Sequence, residues 1–360
     1  MDFRVVLRGE RNALAEHHPA LVADRPDLLE PALGENPEQG GDDFPYLFYS
    51  LEGGRVAGHL MAFPDTLFVA GKPLPWAWNL GLFTESEYRR RGIARQLVKL
   101  QIQEFGRRGI IRGSTFSAPT TLHIFSKLGF SMPGYATRLC LIRNVRPFLR
   151  AHVTNRIALA AGSAAANTLL ASHRRLRHLS EQNAQVIVTV VEGERFATLV
   201  DNSLIRTERY FWGRDSRWFL ARCSPIDSFH EIRRPGDTEP CAVMIVRDRL
   251  VRERQLSDKY SNFRMLSVME FCALDGGDDV PELIVAATLE IFSRSNADIA
   301  EIVTSETAIQ RSAYRQGFRA LGTGMSFSFI APAGNIMHDT QTRLEEWHLS
   351  HFCGDGYGFE

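Results

Sequence analysis

Apolar residues along this chain fall into short blocks whose character alternates between strand and helix. Residues 76–84 (WAWNLGLFT) form an aromatic and aliphatic run of strand type, and residues 93–105 read as a helix. Residues 110–116 read as a second short strand. A helix then opens at Ala118-Pro119 and closes on Phe125-Ser126-Lys127-Leu128-Gly129-Phe130, where Gly129 suits a left-handed cap and Phe130 the hydrophobic contact that follows such caps. Residues 135–142 predict a further strand. Beyond a mainly helical stretch at 144–180, residues 241–246 and 266–274 predict strands, 280–295 an amphipathic helix and 300–304 another strand. This mixture places the chain in the α+β (α/β) class.

The second half echoes the first. Residues 305–330 (SETAIQRSAYRQGFRALGTGMSFSFI) align without a gap on 117–142 (SAPTTLHIFSKLGFSMPGYATRLCLI), which sets Gly317-Phe318 on Gly129-Phe130. Identities are few, but the order of elements agrees. At 360 residues there is material for two cores. The boundaries predicted are 1–145 for a first domain, 146–182 for a helical linker and 183–360 for a second domain.

Composition narrows the partners. Lysine plus arginine and aspartate plus glutamate number 42 each, so no global field favours nucleic acid or an acidic membrane. The five cysteines (Cys140, Cys223, Cys241, Cys272, Cys353) show no CxxC or Cys/His metal spacing. Together with an N-terminus lacking a long apolar run, they suit a reducing, cytoplasmic setting. The apolar helix at 157–171 is too short to span a bilayer and is expected to lie buried between domains, with a surface-lying membrane helix, flanked by Arg150, Arg156 and the basic run 173–178, as the alternative. The aromatic runs Tyr210-Phe211-Trp212 and Arg217-Trp218-Phe219-Leu220 are expected to be core, with aromatic surface of a cleft at the start of the second domain as the alternative. The tail pattern His348-x-x-His351-x-Cys353 matches no trusted metal spacing, and no metal is expected.

Positive charge is concentrated at Tyr88-Arg89-Arg90-Arg91-Gly92-Ile93-Ala94-Arg95, between a strand and a helix. Glycine lets a ligand approach the backbone, and the first helical amides have no intrahelical acceptor and carry the positive end of the helix dipole. The segment therefore suits an anion such as a pyrophosphate. Neither GxGxxG nor GxxxxGK[ST] is present, so a dinucleotide fold or a P-loop is unsupported. A solvated basic turn or a small nucleic-acid patch would use the same residues.

The spacing Arg89-x-x-Gly92-x-Ala94, with the helix ending Lys127-Leu128-Gly129-Phe130 and the element order between them, resembles the acyl-CoA-binding core of the GNAT N-acetyltransferase superfamily over residues 46–143. The resemblance implies two tandem GNAT-like domains, each a mixed, mostly antiparallel sheet flanked by helices. In the second, Asp275, Asp278 and Asp279 stand where the first has arginines, and would repel a pyrophosphate. The second domain is then a degenerate copy serving the acceptor side or a dimer interface. An acidic metal loop is the alternative, although EF-hand spacing is not met.

The resemblance further implies transfer of an acetyl group from acetyl-CoA (or another acyl-CoA) to a small amine, such as an amino sugar, by direct attack. The implied partners are a small-molecule acceptor, with no nucleic acid, no stable membrane insertion and a homodimer as one arrangement. The cofactor-binding residues would be Leu82, Phe83, Thr84, Arg89, Arg90, Arg91, Gly92, Ile93, Ala94, Arg95 and Phe125. The first three would offer backbone pairing to the pantetheine arm, and the loop would hold the pyrophosphate. A base must deprotonate the acceptor. The predicted strand carries no carboxylate, so the candidates are Glu85 and His123, with Glu87, Asp65 and His59 as alternatives. Glu85 and Glu87 are also expected to face solvent and counter the arginines. Phe125 occupies the place of the family's usual acid tyrosine and has no proton to give, so Tyr135 is the candidate acid. Ala118 replaces an asparagine often found at the start of that helix. A catalytically silent acyl-CoA-binding protein and an O-acyltransferase acting on a hydroxyl are the competing functions.

Overall fold

The apolar density of residues 76–79 has a simple cause: both faces of their strand are covered. In the computed structural model, which describes residues 1–29, 40–115, 117–150, 152–180, 185–202, 210–212, 217, 219, 222–252, 262–322, 324–338 and 340–353, Trp76, Ala77, Trp78 and Asn79 are all buried. Their strand belongs to an antiparallel set: β1 (Asp2–Leu7), β2 (Pro45–Glu52), β3 (Arg55–Val69) and β4 (Lys72–Thr84). Short helices α1 (Leu14–His17) and α2 (Pro19–Asp24) lie between β1 and β2. From β4 the chain runs through α3 (Ile93–Arg107) and returns as β5 (Ile111–Thr115), parallel to β4. Then come α4 (Pro119–Lys127) and β6 (Ser131–Ile142).

After α5 (Arg146–Arg150) and α6 (Arg156–Ser180), the second half repeats this succession. It comprises β7 (Ile187–Val191), α7 (Gly193–Asn202), the short β8 (Tyr210–Trp212), β9 (Asp227–Arg233), β10 (Ala242–Val251), β11 (Phe263–Ala273), α8 (Val280–Arg294), β12 (Ile299–Thr304), α9 (Thr307–Arg315), β13 (Arg319–Ala320) and β14 (Met325–Ile330). Helix α9 stands in the same register to α4 that the sequence alignment requires, Thr307 on Pro119 and Arg315 on Lys127. As in the first half, the strand before the long helix and the strand after it, β11 and β12, are parallel neighbours.

The halves are joined through their last strands. β14 pairs with β5 on one side (Phe327 opposite Thr115) and with β6 on the other (Met325 opposite Ala136). The far end of β6 pairs with β12, Thr137 opposite Thr304 through Ile142 opposite Ile299. Each half thus lends its final strand to the other's sheet, and the fourteen strands among the described residues form one mostly antiparallel sheet. Packing follows pairing: Leu139 and Leu141 of β6 lie in the second half's core, with Val285 and Phe292 of α8. Phe327 and Phe329 of β14 join Trp76, Trp78, Trp212 and Trp347 in an aromatic core contributed by both halves. Ring centroids there lie 4.8 Å apart for Trp78 and Trp212 and 4.7 Å for Phe327 and Trp347. Such pairs add about 0.5–1.5 kcal/mol each beyond their buried area. Tyr210, Trp212 and Phe219 are core, as the sequence suggests; Trp218 and Leu220 of the same runs lie outside the described residues.

One expectation fails. The helix read at 157–171 lies within α6, but it is not buried between domains. Ile157 is 81% and Leu169 72% exposed, and only Leu159 and Ser163 of this stretch are buried. Seven of its fifteen residues are alanine, which satisfies helix propensity without needing a partner face. A side-chain bond ties it down instead, since Asn167 Oδ1 accepts from the Val145 amide at 2.9 Å. No described helix is long and apolar enough to cross a membrane.

Two consequences can be measured. A Cβ on Gly113 of β5 would fall 2.0 Å from Cζ2 of Trp76, so Gly113→Ala is expected to cost about 1–3 kcal/mol by overpacking, read as a lowered thermal midpoint. His230 on β9 is buried beside Ser228, and burial pushes its pKa down to about 4 from the ordinary 6.5. Between those values the unfolded chain binds the proton and the folded chain does not. Stability is therefore expected to fall as pH drops from 6.5 towards 4. His230→Met should flatten that part of the pH profile in urea titrations, and an unchanged slope would refute the assignment.

Candidate functional site

The pairing that holds β4 beside β5 stops abruptly. Trp76, Ala77 and Trp78 face Ile111, Arg112 and Gly113, and there the ladder ends. Beyond it, Ser114 and Thr115 are held by β14, while β4 continues along β3 to Thr84 opposite Gly58. A register shift between His59 and Met61 leaves Leu60 facing both Gly81 and Leu82. This is a bulge, with Gly81 at φ +54°, and bulges bend a strand away from its neighbour. The result is a V between β4 and β5. A cleft of about 190 Å³ occupies it, lined by Asn79, Leu80, Gly81 and Leu82 of β4, Ser114 of β5 and Phe125 of α4, among others.

The arginine loop lies directly beyond the far end of β4. Ser86–Tyr88 forms a single 3-10 turn, Arg90 takes φ +65°, and Gly92 caps α3 at φ +79°. That left-handed geometry explains the glycine. Gly92 is exposed, and a Cβ placed on it meets nothing within 4 Å. The first intrahelical bond runs from the Gln96 amide to Gly92 O at 3.1 Å, which leaves the amides of Ile93, Ala94 and Arg95 as the helix's unsatisfied donors. Arg90 and Arg95 are exposed. Arg89 Nε donates to Thr84 O at 3.2 Å, and Arg91 lies against Tyr88 and reaches Glu52 at 3.0 Å.

The remaining residues expected at the site are distributed unevenly. Leu82 and Phe125 line the cleft, while Phe83 and Thr84 follow on β4. Glu85 and Glu87 counter arginines outside the loop, Arg25 at 2.9 Å and Arg55 at 3.3 Å. His123 and Tyr135 are exposed. Glu85, His123 and Tyr135 are all absent from the cleft wall. Asp65 is buried elsewhere, accepting from Trp78 Nε1 at 2.8 Å and Arg222 at 3.0 Å. His59 is buried next to Phe83.

Sequence reasoning passed over two residues at the apex of the V. Arg112, 1% exposed, donates through Nε to Asn79 Oδ1 at 2.9 Å, and its guanidinium lies 4.9 Å from the Phe125 ring and 4.7 Å from Phe130. The available signal was an arginine and an asparagine inside otherwise apolar strands.

The corresponding V of the second half has different contents. β11 and β12 part after Val268 and Ile302, and residues 347–353 fill the gap. The Phe352 amide donates to Met269 O at 3.3 Å and the Leu349 amide to Ser305 Oγ at 2.9 Å. His348 and Ser350 both bond Glu270, at 2.9 and 2.6 Å, and His351 bonds Glu301. The acidic loop before α8 is closed on Arg234, which reaches Asp275 at 2.7 Å and Asp279 at 2.6 Å. These bonds hold both carboxyls below their ordinary range. Among the described residues no cluster of three or more His, Cys, Asp or Glu could hold a metal. Burial pushes the Cys140 thiol up to about 12, the behaviour of a packing residue.

Residues 45–132, from β2 to the start of β6, match the family model of the acetyltransferase (GNAT) domain. The chain carries a GNAT domain. A GCN5-related N-acetyltransferase from Anabaena variabilis superposes at a TM-score of 0.51 with 14% identity, covering 92% of this chain and 73% of the other. A conserved protein from Enterococcus faecalis, described as a probable N-acyltransferase, gives 0.53 with 10% identity over 92% and 72%. At such identities the likeness is one of fold. No curated protein matches the sequence.

Proposed function

We propose that the chain is an acyl-CoA-dependent acyltransferase that moves an acetyl group from acetyl-CoA to a small amine, such as an amino sugar, by direct attack. One observation carries this reading. The V between β4 and β5 and the open N-terminus of α3 are joined by a single loop, so one ligand can thread both. Its pantetheine arm would lie along Leu82, Phe83 and Thr84, its tip against Phe125. Its pyrophosphate would meet the amides of Gly92, Ile93, Ala94 and Arg95 and the charges of Arg89, Arg90 and Arg91. A thioester oxygen near the β4 bulge would find a backbone donor as charge develops on it.

The second half supports the role of a partner rather than a second transferase. Its slot holds residues 347–353 and its loop is acidic, so it shapes the acceptor side or a subunit interface. The base and acid remain Glu85, His123 and Tyr135 in this proposal, reached when acceptor and acyl-CoA close on the cleft. A specific feature favours a second reading, a silent acyl-CoA-binding protein: among the described residues the cleft wall, formed by Asn79, two serines, Thr121 and apolar residues, carries no titratable side chain.

Release of free thiol from acetyl-CoA in the presence of a panel of amines and alcohols separates the readings. Turnover with amines alone supports N-acetyl transfer, turnover with alcohols the hydroxyl variant, and tight CoA binding without turnover the silent protein. Gly92→Asp puts a carboxylate where the pyrophosphate would lie, with nothing within 4 Å to disturb. CoA binding by calorimetry should fall by at least about a hundredfold, as expected for losing charge-assisted bonds and adding repulsion, while stability falls only by the roughly 1–2 kcal/mol that a side chain pays in the left-handed region at φ +79°. Undiminished affinity would place the nucleotide elsewhere.

A further inference from the structure

We propose that Asn79, at the apex of the V, donates a hydrogen bond from its side-chain amide to the acyl carbonyl oxygen of the bound thioester, and that Arg112 is the positioning residue that makes it do so. The assignment rests on the acyl-CoA reading given above.

Donor and acceptor chemistry settles the amide's orientation. A guanidinium only donates, so the Asn79 atom 2.9 Å from Arg112 Nε must be the carbonyl oxygen. The NH₂ group is therefore turned away from Arg112, and Asn79 belongs to the cleft wall. Asn79 is 3% exposed, and its Nδ2 has no partner among the described residues. Leaving a buried donor unpaired costs about 1–3 kcal/mol. An oxygen arriving at the end of the cleft removes that cost.

Arg112 strengthens the arrangement. Its Nη1 and Nη2 are also unpartnered among the described residues, and no carboxylate reaches them. Burial pushes its pKa well down, yet an arginine stays protonated at ordinary pH. The aromatic faces of Phe125 and Phe130 supply part of its compensation. A cation pulling on Asn79 Oδ1 polarises the amide and makes its N–H groups better donors. When an amine adds to the thioester carbon, the C=O pair moves onto oxygen. That oxyanion then collapses, re-forming C=O and expelling the CoA thiolate, and the proton shed by the acceptor nitrogen to the base is balanced by one delivered to the thiolate sulfur from the acid. No proton passes through Asn79. Its bond tightens as the oxygen gains charge, a differential contribution added to that of the backbone donor on β4. Depth in the V gives the reason for choosing the acyl group. Asn79 is the first β4 residue past the last β5 pair, so it meets the ligand's leading end.

Acetyl-CoA and CoA differ only by the acyl group, so the ratio of their dissociation constants isolates this contact without needing the acceptor. Calorimetry on the full chain is expected to show that ratio moving against acetyl-CoA by about three- to tenfold in Asn79→Ala, the range of one net hydrogen bond, with CoA affinity unchanged. Asn79→Asp should shift it further and raise the thermal midpoint, since a carboxylate gives Arg112 an ion pair while repelling the acyl oxygen. Arg112→Gln keeps an N–H at the Nε position but not the charge, so it should hold the amide's orientation and leave the ratio between those of wild type and Asn79→Ala. Arg112→Met, similar in shape but without the donor, should lose the orientation and the ratio with it. An unchanged ratio in both Asn79 variants overturns the assignment, as does an equal loss for both ligands, which would place the amide on the pantetheine arm. Wild-type protein that binds neither ligand overturns the acyl-CoA reading and this assignment with it.

Discussion

The hydrogen bonding of β14 to β5 is the constraint on which the rest of this structure depends. β5 has only one side to give to β4, and its other side is taken by a strand from the far end of the chain. Held there, β5 cannot follow β4 when the bulge at Gly81 and Leu82 bends that strand away. The V is the space left between a strand free to bend and one fixed by a remote partner. The same exchange removes what would otherwise be an open edge on β5, a template for aggregation, and carries Trp347, Phe327 and Phe329 to the tryptophans of β4. Such long-range pairing costs loop-closure entropy before it returns any contact, and it ties the two halves together through shared strands.

The two halves fill their strand forks differently. In the first, the space past the strand fork is open, and the loop that follows β4 is basic and headed by a glycine in the left-handed region. In the second, a backbone segment of the chain itself lies in the fork. The loop there is acidic and neutralised by Arg234. Glu270 and Glu301, buried beside that segment, are matched by His348, Ser350, His351 and Arg138. A buried carboxylate is tolerated only with such partners. The segment and the acids therefore hold each other in place, and an extended ligand would have to displace both.

At the first fork the polar groups follow the opposite logic. Asn79 and Arg112 sit in a low-dielectric apex with part of their hydrogen-bonding capacity unused among the described residues. An interior optimised only for stability would pair or remove them. Phe125, which has no hydroxyl, fits this apex because its ring face meets the guanidinium.

How much was legible beforehand follows the range of the interactions. Gly92 and Gly129 are dictated by local backbone geometry, so the loop and the helix end could be read from the chain. The periodicity of the strands and helices around them, and the register between residues 117–142 and 305–330, could be read as well. These features depend on neighbours within a few residues, or on a pattern repeated in the chain. The strand exchange, the filling of the second fork by residues 347–353, the exposure of α6 and the pairing of Arg112 with Asn79 could not be. Each is a choice among partners distant in sequence, where propensity is indifferent and only packing and hydrogen-bond satisfaction discriminate. An arginine inside an apolar strand is visible as an anomaly in one dimension. What it holds, and which way the amide beside it must turn, is decided where the strands part.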